Sequence, residues 1–134
     1  SFRLGDPDET VSGRHEYVVE YAVEGALNAF ADHDELYWNA IGDGWGVPIE
    51  RVRVTVEAPV EITRTACFAG PAGSNLPCAQ VAATGGTLTA AQPGGLGPYE
   101  ALTVVAALPK GAVSATGPMS RCKLPGHGNC RWRR

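Results

Sequence analysis

An all-β chain, folded as an immunoglobulin-like or related antiparallel β-sandwich with little helix, is predicted by three features of the sequence. Apolar and polar side chains alternate over short runs, most regularly in "RVRVTV", where Val52, Val54 and Val56 oppose Arg51, Arg53 and Thr55. About seven such runs are separated by turn-forming residues, drawn from 17 glycines and 10 prolines. No apolar repeat of helical period persists over about ten residues.

Along the chain, Phe2 to Leu4 reads as the end of a strand whose partner is expected upstream of residue 1. Asp6-Pro7 and Ser12-Gly13 punctuate the link that follows. His15 to Leu27 sets Tyr17, Val19, Tyr21 and Val23 on one side and Glu16, Glu20 and Glu24 on the other, the pattern of a half-buried strand with its acidic face in water. Asp32, His33, Asp34 and Glu35 read as a solvated loop before a short strand, Leu36 to Ile41. Consecutive residues of a strand face opposite ways, so Trp38 is assigned to the core and Tyr37 to the surface. Gly42-Asp43-Gly44 then supplies a hairpin turn. The valine-rich strand is closed by Pro59, which cannot donate to a central ladder. Glu61 to Gly70, the two runs flanking Gly85-Gly86, and Tyr99 to Pro109 complete the strands.

The length of 134 residues suits one domain. Residues 1–113 form the expected sandwich, and residues 114–134 a basic, cysteine-containing tail, either a linker or an appended non-native segment. The formal charge of −3 hides an asymmetry. Residues 1–113 hold all 14 acids against 6 bases, whereas the last 14 residues carry Arg121, Lys123, Arg131, Arg133 and Arg134 and no acid. An acidic body repels phosphate backbones, so nucleic acid is not an expected partner. No stretch approaches the ~20 apolar residues of a membrane-crossing helix.

Cys67 and Cys78 bracket "FAGPAGSNLP", whose glycines and prolines let the ends meet, and they are expected to form a disulfide. Such a bridge implies an oxidising compartment. Cys122 and Cys130 frame "KLPGHGN" and leave three readings open: a second disulfide, two unpaired thiols, or, with His127, part of a zinc site that lacks a fourth ligand. No metal or other cofactor is expected.

Catalytic chemistry finds little support. The acidic stretch lacks the spacing of a calcium-binding loop, and no nucleophile elbow or phosphate-binding glycine loop occurs. Acid/base carboxylates on separate loops leave no spacing to read, which keeps a hydrolase as an alternative. Asp32, Glu35, Tyr37, Asp43 and Trp45 form the candidate binding surface, with the aromatics as stacking groups for a sugar or peptide and the carboxylates as polar contacts or a weak cation rim.

The segment "GDPDETVSGRHEYVVEYAVEGALNAFADHDELYWNAIGDGWGVPIERVRVTVEAP", followed by "CFAGPAGSNLPC" and "LTVVAALPKGAV", resembles the extracytoplasmic domain of the YciQ-like predicted bacterial membrane proteins, a domain of unknown function. The likeness spans about residues 2–113, and "DELYWNAIGDGW" with "LPKGAV" is its most specific part. The resemblance implies an exported β-rich domain attached to the membrane through segments outside this chain. It transfers no catalytic residue. "SATGPMSRCKLPGHGNCRWRR" departs from the family pattern.

The expectation for function is a non-enzymatic interaction or sensory module outside the cytoplasm, with an unknown protein or cell-envelope ligand and a homodimer through exposed strand edges. The alternatives are a carbohydrate- or cell-wall-binding module and the hydrolase above.

Overall fold

The computed structural model describes residues 6, 8–19, 21–114, 119–122 and 128–132, with the backbone alone for Ala22 and the last two segments. Among the described residues there are ten strands and no helix. They are β1 (Ala22–Val23), β2 (Leu27–Ala29), β3 (His33–Ile41), β4 (Val52–Glu57), β5 (Arg64–Pro71), β6 (Gln80–Thr84), β7 (Thr87–Gln92), β8 (Glu100–Pro109), β9 (Met119–Cys122) and β10 (Gly128–Trp132). One sheet runs β1-β9-β10-β4-β7-β6 and the other β2-β3-β8-β5. All neighbours are antiparallel except β10 and β4, which run parallel.

The alternation read from the sequence is what joins the sheets. Val52, Val54 and Val56 are buried on one face of β4, and their register partners Leu88 and Ala90 on β7 are fully buried beside them. Leu36 on β3 and Leu102, Val104, Ala106 and Leu108 on β8 complete the same apolar cluster from the smaller sheet. Trp38 packs against this cluster while Tyr37 stays 52% exposed, as the strand's two-residue period demands. The two-layer sandwich predicted from the sequence is therefore the observed architecture.

Three local expectations are corrected. His15 to Leu27 is not one strand: His15–Val19 is outside any strand, and only β1 and the start of β2 form within that run. Its alternation lacks a core-facing set of large side chains, since Tyr17 and Tyr21 remain exposed. The acidic stretch is not a loop, because β3 begins at His33 and pairs with β8 as far back as Pro109. Gly42-Asp43-Gly44 does not close a hairpin either, since β3 and β4 lie in different sheets and the turn leads from one layer to the other. The glycine dipeptide at Gly85-Gly86 does make one. Thr84 registers with Thr87, and Gly85 at φ 56° supplies the positive φ of a two-residue turn.

The segment read as a tail supplies β9 and β10 to the interior of the larger sheet. The backbones of Cys122 and Cys130 are register partners there, but the disulfide, thiol and zinc readings of these two residues turn on side chains outside the described residues, as does His127. Phe2 to Leu4 also lies outside them.

Leu88→Ala removes a fully buried side chain from the centre of the stack and is expected to lower unfolding free energy by about 2–5 kcal/mol in urea titration, whereas Tyr37→Ala is expected to stay within about 0.5 kcal/mol of the parent.

Candidate functional site

The smaller sheet presents its outer face to solvent. On it β8 contributes Ala101, Thr103, Val105 and Ala107, paired with Tyr37, Asn39 and Glu35 of β3 on one side and with Arg64, Ala66, Phe68 and Gly70 of β5 on the other. Towards one end Ala101 and Thr103 of β8 lie between Asn39 and Tyr37 of β3 on one side and Phe68 of β5 on the other. At that end is a cleft of about 230 Å³ whose lining includes Tyr37, Asn39, Asp43, Phe68 and Thr103. The loop of residues 70–75 closes that end.

Each wall is held by a local interaction. Thr103 Oγ1 donates to Asn39 Oδ1 at 2.6 Å, which fixes the amide across the β3–β8 seam. Gly70 has φ 128° and a Cβ there would sit 2.9 Å from Ser74 Oγ, so only glycine lets the chain turn out of β5 against the serine. Ser74 Oγ in turn donates to the Ala69 carbonyl at 3.0 Å and accepts the Leu76 amide at 3.2 Å. The bridge Cys67–Cys78 closes the loop, with Cα atoms 5.3 Å apart, as the spacing predicted.

Of the five residues expected at a binding surface, the cleft brings together Tyr37 and Asp43. Trp45 is 50% exposed but is not part of the lining. Its carbonyl accepts the Tyr99 amide at 2.7 Å, at the same end of the sandwich. Asp32 and Glu35 do not line the cleft. Both attend His33 towards the other end of β3: Nδ1 lies 2.6 Å from Asp32 Oδ1 and Nε2 lies 3.7 Å from Glu35 Oε2. Arg64 stands 3.8 Å from Asp32, and the ring of Phe30 stacks on His33 at 4.7 Å. The hydrogen bond from His33, then one from its own backbone amide, hold the Asp32 carboxyl below its ordinary range. Among the described residues no group of three potential ligands could hold a metal ion.

Asn39, Phe68, Thr103 and the loop after β5 are not among the binding-surface residues expected from the sequence. Asn39 was within reach of a simple rule, since it lies two residues beyond Tyr37 and must share its face. The others become neighbours only through the β5–β8–β3 pairing.

Asp34 is the largest departure from the solvated reading. It is 5% exposed and accepts hydrogen bonds from Lys110 Nζ and the Gly111 amide, each at 2.8 Å. The two most specific segments of the family resemblance thus meet at one carboxylate. The Lys110 hydrogen bond, with that of Gly111, holds its pKa below the ordinary carboxylate value.

The family model described as "Predicted membrane protein (DUF2207) N-terminal domain" matches residues 3–108. The chain belongs to this family. The match spans β1 to β8 nearly to its end and takes in Asp34 and every cleft residue. No curated protein and no solved structure gave a significant match. Membrane association of the family agrees with the resemblance drawn from "DELYWNAIGDGW" and "LPKGAV".

Because the folded-state value of Asp34 is the lower one, its ionised form stabilises the fold above the unfolded carboxylate pKa of about 3.9, and that contribution is lost as pH falls through the folded value. Asp34→Asn is expected to lower the urea midpoint by a constant amount from neutral pH to about pH 5, with the gap to the parent closing below about pH 4. An undiminished gap at pH 3 contradicts this role.

Proposed function

We propose that this domain is a non-enzymatic interaction or sensory module of a membrane protein, exposed outside the cytoplasm, and that the cleft beside Tyr37 receives its ligand. The supporting observation is an exposed ring set over a floor of small side chains, with an amide and a carboxylate at its margin. The Tyr37 ring is 52% exposed, which leaves its apolar face open to a ligand. The Cys67–Cys78 bridge favours an oxidising compartment, and the membrane-protein family supports attachment beyond this chain.

A second reading, a carbohydrate- or cell-wall-binding module, draws on the chemistry of the same residues. A flat ring flanked by a fixed amide and Asp43 offers one apolar surface and several directional partners, which suits the C–H face and hydroxyls of a sugar. The hydrolase alternative receives less support, because Asp43 is the one carboxylate in the cleft lining and acid/base cleavage of a glycoside calls for two.

A photo-crosslinking group at position 37, in cells carrying the full-length protein, is expected to yield a defined adduct with an envelope component; its absence overturns recognition at this cleft. Retention of the purified domain on peptidoglycan or a glycan array, weakened roughly tenfold or more by Tyr37→Ala and less by Trp45→Ala, selects the carbohydrate reading. Failure to bind either material removes it.

A further inference from the structure

We infer that β6 is a self-pairing edge through which two copies of this chain join their larger sheets. The three other terminal strands are blunted. β1 has two residues and β2 three, too few to template a partner strand. β5 is covered by its own disulfide-closed loop, where the Ala69 amide donates to the Leu76 carbonyl at 2.9 Å and the Cys78 amide to the Cys67 carbonyl at 3.0 Å. β6 has five residues, "QVAAT", all exposed, with no charge, proline or bulge to deter pairing.

The hydrogen-bond parity of the sheet identifies the open groups. Ala58 donates to the Gly86 carbonyl at 2.7 Å, so even-numbered residues of the β7 side face β4 and Thr87, Thr89 and Ala91 face β6. Their register partners Thr84, Ala82 and Gln80 are therefore engaged with β7. Val81 and Ala83 direct their amides and carbonyls outward. The window is closed at both ends, since the Ala79 amide donates to Gln92 Oε1 at 2.8 Å and the Gly85 carbonyl accepts from Ile62 at 2.9 Å. Among the described residues nothing pairs with the four groups between.

A second copy fits this window. Two antiparallel β6 strands centred on Ala82 set Val81 opposite Ala83 of the second copy and Ala83 opposite its Val81. Each such pair exchanges two N–H···O bonds, so all four open groups on each side are satisfied by one two-fold operation. The side chains brought together are small and uncharged. That matters for a chain whose first 113 residues carry 14 acids against 6 bases, because a neutral window is where two such bodies approach with least repulsion. Val81 and Ala83 also register with the fully buried Ala90 and Leu88, which places them on the core side of the sheet, yet Val81 is 36% exposed. Pairing two edges covers this uncapped rim of the apolar layer.

Sedimentation equilibrium of the 134-residue chain is expected to show a concentration-dependent species of twice the chain mass. Ala83→Pro deletes an outward amide without touching the β7 ladder, and Val81→Lys places a charge on the edge; both are expected to be monomeric with the parent's circular dichroism. Ala82→Cys, facing its symmetry mate at the ~4.5 Å Cα separation of a non-hydrogen-bonded pair, is expected to cross-link on air oxidation through residue 82, as mapped by peptide mass spectrometry. Gln80→Cys, displaced from its own copy in this register, is not. A parent that stays monomeric, or a dimer that survives both edge variants with no cross-link at residue 82, overturns the inference.

Discussion

Leu36, Leu102, Val104 and Leu108 of the smaller sheet meet Val54, Val56 and Leu88 of the larger one in a single apolar layer, and removing that layer from water orders the rest of the molecule. Full burial of each such side chain contributes about 1.5–3 kcal/mol. The constraint is as much geometric as energetic. A slip of one residue along any of these strands turns its apolar set outward, so core burial fixes register, and register decides which side chains reach the surface. Tyr37 stands on the outer face, beside the cleft, because Leu36 and Trp38 on either side of it pack towards the interior.

The same logic explains the two buried polar residues. Thr103 is tolerated because its hydroxyl has a partner in Asn39, and Asp34 because its two oxygens have Lys110 and Gly111. Both pairings also tie β8 or the turn after it to β3. One sits beside the cleft and the other at the opposite end of the same strands, so the face that carries the cleft is braced along its length. The charged cluster of Asp32, His33, Glu35 and Arg64 occupies the intervening surface towards the Asp34 end.

The sandwich was legible because period-two burial in β4, β7 and β8 is written in consecutive residues, and the same holds for the disulfide, whose loop composition permits closure. Where the reading failed, non-local pairing decided the outcome. Asp32 to Glu35 resembled a polar loop by composition, yet pairing with β8 drew His33, Asp34 and Glu35 into a strand and gave Asp34 a cation 76 residues away. Glycine around Asp43 signalled a turn correctly but could not say whether the chain would double back or change layers. Tyr37 and Asp43 were identifiable as candidates from residue type alone, whereas Phe68 and Thr103 join them only through the order of strands across the sheet.

One covalent bond touches two regions that otherwise share little. The Cys67–Cys78 bridge holds the loop that walls the cleft and the same loop shields the edge of β5. Cleaving it with a reductant leaves the loop held by hydrogen bonds alone, among them Ala69 to Leu76 and Cys78 to Cys67. One reduction thus loosens a cleft wall and the cover of a sheet edge in the same step.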